Sequence, residues 1–212
     1  MTKGRVTEPR QDNGLASGRE ARPVRADARR NEDALLEAAK RIFARSGVDA
    51  PVREIAAEAG VGLGTLYRRF PKRSDLVAAV FRREVDACAA DAATLAAEQA
   101  PGEALASWLM RYTQFIATKQ GLAAALHSGD PAFDELPAYF RARFEPVLKS
   151  LLEAAAAAHA VRDDIAAYDL LRAIGNLSVA TGPDGEDHVK RMVALLIDGL
   201  RYGATPPAKG GG

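Results

Sequence analysis

"AGVGLGTLYRRF", Ala59 to Phe70, sets glycines at positions 60, 62 and 64 ahead of an aromatic residue, two arginines and a second aromatic. Such a run reads either as a loop that cradles phosphate or as the turn and second helix of a helix-turn-helix. A dinucleotide fingerprint needs G-x-G-x-x-G after a strand, and a P-loop needs G-x-x-x-x-G-K-[ST]. Gly60 and Gly62 would require a third glycine at Thr65, and Gly62 and Gly64 would require one at Tyr67. The residues ahead, moreover, read as a helix. Both phosphate-loop readings fail on spacing and context, so no nucleotide cofactor is expected.

A helix-turn-helix needs an apolar contact on its first helix, a small residue where the helices cross, and a turn residue that accepts positive φ. An apolar anchor and an inward residue on the second helix follow. Ile55, Ala56, Gly60, Val61 and Leu66 supply these in order. Gly62 then serves as N-cap, and Gly64 lets a partner approach the backbone closely. Leu63, Thr65, Arg68 and Arg69 are left facing outward, with Tyr67 at the flank. From Leu66 to Arg73 there are four positive charges and no negative one, as a surface meeting duplex phosphates requires.

Upstream, Leu35, Leu36, Ala39, Ile42 and Phe43 recur at helical spacing from Asn31 until Gly47. A second helix opens at Pro51 and runs to Ala59. Residues 1–29 are rich in Gly, Pro and Arg with few large apolar residues, and read as a disordered basic arm. Downstream of Pro71 a long helix carries Leu76, Val77, Val80, Phe81 and Val85 on one side. Further helical segments follow, broken at "QAPGE", at "HSGDPAFDELP" and around Gly182, Pro183 and Gly185. No segment alternates with period two. The expected architecture is all-α: a helix-turn-helix unit over 30–75, a larger helical domain over 76–204, and a disordered tail over 205–212.

The 212 residues carry a net charge of +1, but residues 1–80 hold 16 Lys/Arg against 11 Asp/Glu, net +5, and the remainder 13 against 17, net −4. An anionic partner is therefore expected at the N-terminal part. A single cysteine, Cys88, excludes an intramolecular disulfide framework. No apolar run suits a signal peptide or a membrane span, and the expected location is cytoplasmic. His127, His159 and His188 show no paired spacing for a metal, and neither Cys88 nor any serine sits in a nucleophile motif.

Val52 to Phe81, "VREIAAEAGVGLGTLYRRFPKRSDLVAAVF", resembles the DNA-binding region of the TetR (tetracycline-repressor) family, with "AGV", "TLY" and the aromatic-Pro run at matching offsets. Leu35, Ala38, Ile42, Phe43 and Gly47 are similar to that family's first helix. The resemblance implies a homodimeric repressor whose paired recognition helices enter successive major grooves of a palindromic operator. It also implies a C-terminal domain that binds a small effector. Carried over by position, Tyr67 and Arg69 contact phosphate, the second usually being histidine. Arg73, beside Lys72, grips the backbone from the start of the fourth helix. Arg53, Leu63, Gly64, Thr65 and Arg68 fall where base edges are read or closely approached. Pro51 departs from a position that often carries a phosphate-binding hydroxyl. Arg53 has the alternative of pairing with Glu54 or Glu58, and Arg22, Arg25 and Arg29 are either an inert tail or a minor-groove contact.

In the larger domain, Trp108, Tyr112 and Phe115 sit at helical spacing, and Phe140 and Phe144 one turn apart. They are either core or the lining of an apolar effector cavity, with Cys88, His127 and Asn176 as polar candidates in apolar surroundings. Asn176 has the further alternative of fixing dimer register. Leu170, Ile174 and Leu177, with Val189, Met192, Val193, Leu196 and Leu200, present more apolar surface than a small domain covers, and are expected to form a four-helix interface with a second copy. Two other classes of function stay open on this reading. One is an effector-independent activator or organising factor; the other, a helical enzyme, lacks a visible catalytic constellation.

Overall fold

The computed structural model describes residues 21–117, 129–178 and 185–202. Among them the chain is all-helical: α1 (Ala21–Ser46), α2 (Val52–Glu58), α3 (Leu63–Arg69), α4 (Arg73–Glu98), α5 (Pro101–Ala117), a single 3-10 turn (Pro131–Phe133), α6 (Leu136–Ala157), α7 (Ala167–Leu177) and α8 (Gly185–Tyr202). No helix of the described residues is long and apolar enough to cross a membrane.

Helix α1 begins at Ala21, well ahead of the Asn31 start read from the sequence. Residues 21–29, assigned above to the disordered arm, are helical. The reason is intrinsic propensity: alanine and arginine dominate the stretch and favour helix without any apolar stripe. Pro23 falls in the first turn, where its missing N–H had no partner. The rest of the expected arm, residues 1–20, lies outside the described residues, as does the expected tail. Gly47 ends the helix with φ 77°, its N–H donating to the Phe43 carbonyl at 3.0 Å.

Two cores are threaded by one helix. Leu35, Ala38, Ile42, Ile55, Ala56, Leu66 and Phe70 close around Leu76 and Val80 of α4 to form the head. On an adjacent side of the same helix, about 100° round, Val77, Phe81, Val85 and Cys88 face the body, built with α5 to α8. The expected boundary at 75/76 thus falls inside α4, whose first turns belong to the head.

Ion pairs fasten α1 to its neighbours. Arg41 and Arg45 each reach the Glu58 carboxylate at 2.8 Å, tying α1 to the end of α2. Arg83 meets Asp33 at 3.0 Å and Glu37 at 3.1 Å, and Lys40 meets Glu84 at 2.8 Å, tying α1 to α4.

Candidate nucleic-acid interface

The turn adopts the expected geometry. Gly60 has φ 68°, a region that L-residues avoid, and the Val61 N–H reaches back to the Ala56 carbonyl at 3.0 Å. Ile55, Ala56 and Leu66 are buried and Val61 is half-buried, so the apolar side of the unit is closed. Gly62 is the N-cap of α3, and its carbonyl accepts from Thr65 N–H at 2.9 Å and Leu66 N–H at 3.2 Å.

With Leu66 held inward, the opposite side of α3 faces solvent. Leu63 is 43 % and Tyr67 47 % exposed among the described residues, high values for large apolar side chains. A Cβ built on Gly64 meets no atom within 4 Å. Arg68 is exposed, and its only hydrogen bond among the described residues is to the Thr65 hydroxyl at 3.2 Å, along the helix itself. Arg53 is also exposed and has no ion pair among the described residues. Of its two alternative partners, Glu58 is occupied by Arg41 and Arg45, whose hydrogen bonds hold the Glu58 carboxyl below its ordinary range.

The basic run from Arg68 to Arg73 divides by role. Lys72 is exposed, and its backbone N–H donates to the Asp75 carboxylate at 2.9 Å, capping α4. Arg69 donates to Glu32 of α1 at 2.5 Å, so its charge is shared within the chain and it ties the end of α3 to α1. Arg73 has a structural role that the basic run did not announce. Its guanidinium is half-buried and its Nη1 donates to the carbonyls of Val48 at 2.5 Å and Ala50 at 2.7 Å, so it staples the α1–α2 loop. Gly47 breaks α1 and leaves these carbonyls without helical amides, and a guanidinium with five donors satisfies both. The carbonyls after a helix-ending glycine were the available signal for this role.

The expected effector residues separate into three groups. Trp108, Tyr112, Phe115, Phe140 and Phe144 converge, with ring centroids from 4.7 Å (Phe140 to Phe144) upwards, and Trp108, Tyr112 and Phe144 are wholly enclosed. Trp108 Nε1–H donates to the Cys88 carbonyl at 3.0 Å, and the Tyr112 hydroxyl to the Leu171 carbonyl at 3.3 Å. Burial pushes the Tyr112 hydroxyl up, which keeps it a donor at any ordinary pH. Cys88 and Phe115 also edge a groove of about 280 Å³ whose other walls are charged: Lys40, Glu84, Asp91 and Arg111. The sequence reading missed those walls because they come from three separate helices. Asn176 is a second correction, being exposed and not set in apolar surroundings. Ile174 is buried, and two residues further on, about 200° round the helix, the chain faces away. His127 lies outside the described residues.

The expected dimer residues also divide. Leu170, Ile174, Val189, Val193 and Leu200 are buried in this chain's own body, which corrects their reading as interface. Leu177, Met192 and Leu196 remain half-buried, and with Ile165, Gly199 and a 64 % exposed Leu195 they form an apolar outer groove of about 430 Å³.

Comparison with known proteins agrees with this geometry. Residues 35–80 match the family described as "Bacterial regulatory proteins, tetR family", and residues 100–202 match "Transcriptional regulator SbtR-like, C-terminal domain". The chain is 38% identical to a TetR transcriptional regulator of Streptomyces coelicolor, over 80% of this chain and 98% of that one, with a TM-score of 0.65. It is 37% identical to a TetR transcription regulatory protein from Mycobacterium vanbaalenii, over 84% and 99% of the two chains, with a TM-score of 0.64. Over 64 residues it is 41% identical to an HTH-type transcriptional regulator of Staphylococcus aureus (strain USA300), a match spanning 30% of this chain and 35% of that protein's length. These relatives regulate transcription and are not enzymes. A head with a helix-turn-helix, a helical body and family matches to both place the fold and the family together: the chain belongs to the TetR family of transcriptional regulators.

Proposed function

We propose that the protein is a homodimeric repressor that binds a palindromic operator through α3 and is released by a small, largely apolar effector held in the helical body. The observation that carries the DNA reading is the outward side of α3, where Leu63, Gly64, Tyr67 and Arg68 are exposed and Thr65 half-exposed among the described residues, backed by a closed core. Arg68 suits a guanine edge, while Leu63 and the Thr65 methyl suit a thymine methyl. Tyr67 and Lys72 at the flanks suit phosphate oxygens. Two-fold pairing through the outer groove of Leu177, Met192, Leu195 and Leu196 would present two such helices to one duplex, and a two-fold dimer reads a palindrome. A gel-shift series with duplex DNA from upstream of the protein's own coding region tests this: a discrete complex that weakens steeply with salt is expected.

Release would follow from an effector that prefers the DNA-incompetent dimer, lowering operator affinity by its differential affinity for that state. The aromatic cluster of α5 and α6 is the apolar surface such a molecule would enter. The enclosed packing of Trp108, Tyr112 and Phe144 favours a second reading, an effector-independent regulator, because an effector there must first part the rings. Melting temperature against a metabolite panel separates the two, since a ligand of the folded state raises it by mass action.

A further inference from the structure

We propose that the first turns of α1 form an arginine-bearing arm that grips the phosphate backbone of duplex DNA beside α3; this rests on the reading of α3 as the DNA-facing helix. Residues 27–31 are all exposed, and Glu32 makes the first ion pair from α1 to the rest of the head among the described residues. The backbone is helical from Ala21, so eleven residues, about 16 Å at 1.5 Å per residue, precede Glu32 on the helix. A free helix of that length is marginal in water, and contact with a partner would order it.

Its charge indicates what it meets. Between Ala21 and Asn31 stand four arginines, at 22, 25, 29 and 30, against one acid, Asp27. Arg30 pairs with Asp27, which leaves Arg29 exposed and without an ion pair among the described residues. Positions 22, 25, 29 and 32 are spaced by three, four and three residues, which sets them on one side of the helix. Position 32 fixes where that side lies, because Glu32 reaches Arg69 at the end of α3. The arginine positions therefore continue the side of α1 that abuts the recognition helix, in the direction leaving the head. Glu32 shares its charge with Arg69, and the arm would extend the positive field that Arg68 and Lys72 supply at the end of α3. A duplex strand offers a phosphate every 3.4 Å of axis, so an arm of this length spans about five.

Anisotropy titrations over a range of salt, with the full chain, test the arm on two duplexes of equal length, one from upstream of the coding region and one of random sequence. Replacing Arg22, Arg25 and Arg29 together by alanine is expected to weaken both complexes by the same factor. The slope of log K against log salt should fall by about 2.7 per bound head, the value for three lost phosphate contacts. The melting temperature should stay that of the wild type, because Arg29 is exposed and alanine keeps the helix propensity of arginine at all three positions. Replacement of the same three by lysine should keep the slope. A triple alanine variant with wild-type affinity and slope overturns the arm, while Arg68→Ala, by losing the preference between duplexes, would still uphold the reading of α3. A wild-type chain that holds neither duplex overturns both.

Discussion

A methyl group added at Gly60 and one added at Gly64 have opposite consequences. Neither would meet an atom within 4 Å, so sterics with neighbours do not decide either case. At Gly60 the φ of 68° does, and Gly60→Ala is expected to cost about 1–2 kcal/mol in urea unfolding. At Gly64 the backbone is ordinary helix, and alanine there should stabilise by up to about 1 kcal/mol while weakening DNA binding, because it thickens the face that the duplex approaches. Arg68 and Arg73 form a second contrasting pair. Removing Arg73 strips two loop carbonyls of their donor, and Arg73→Ala should lose about 1–3 kcal/mol of stability. Arg68→Ala should leave stability within about 0.5 kcal/mol and act on DNA binding alone. In the sequence the two were equivalent members of one basic run. What separates them is a pair of carbonyls some two dozen residues upstream, a relation that spacing along the chain does not carry.

At the level of elements, periodicity was legible wherever an apolar stripe faced a core: α2, α3 and the first turns of α4 lie where the pattern set them. It failed at the start of α1, whose helix rests on propensity and carries no stripe, and at Asn176, where a buried neighbour two residues away gave a false sense of enclosure. The α1–α2 clamp illustrates what the sequence leaves hidden. Glu58 serves two arginines of α1, and their hydrogen bonds, Arg41 first, lower its pKa in the folded state. A lowered folded value means that the clamp stabilises the head above about pH 4.5, the ordinary value of the carboxyl, and that the contribution is lost as pH falls through the lowered one. Glu58→Gln is therefore expected to unfold more easily than wild type at neutral pH, with the difference shrinking in acid, as thermal melts along a pH series would read. In the body, Phe144 contacts the rings of Trp108, Tyr112, Phe115 and Phe140. Phe144→Ala should cost about 3–5 kcal/mol, the range for deleting a large buried ring.

For the molecule as a whole, one helix serves two cores, so a shift of α4 against the body must move the head with it. The apolar residues of α7 and α8 were legible as a group, but the sequence could not say which of them the chain itself would cover. The fold buries the stripe containing Ile174, Val193 and Leu200 and leaves Leu195 exposed, with Leu177, Met192 and Leu196 half-buried beside it. If the outer groove pairs two copies, Leu195→Asp should then yield a folded monomer by light scattering, whereas Val193→Asp should unfold the body. The central claim is that the outward side of α3 reads DNA. Anisotropy titration of the upstream duplex with wild type and with the Tyr67→Ala, Arg68→Ala double variant tests it most directly, since both side chains are exposed outside the cores. Loss of the specific complex with an unchanged melting temperature is the predicted result; a double variant that binds as tightly and as selectively as wild type would contradict it.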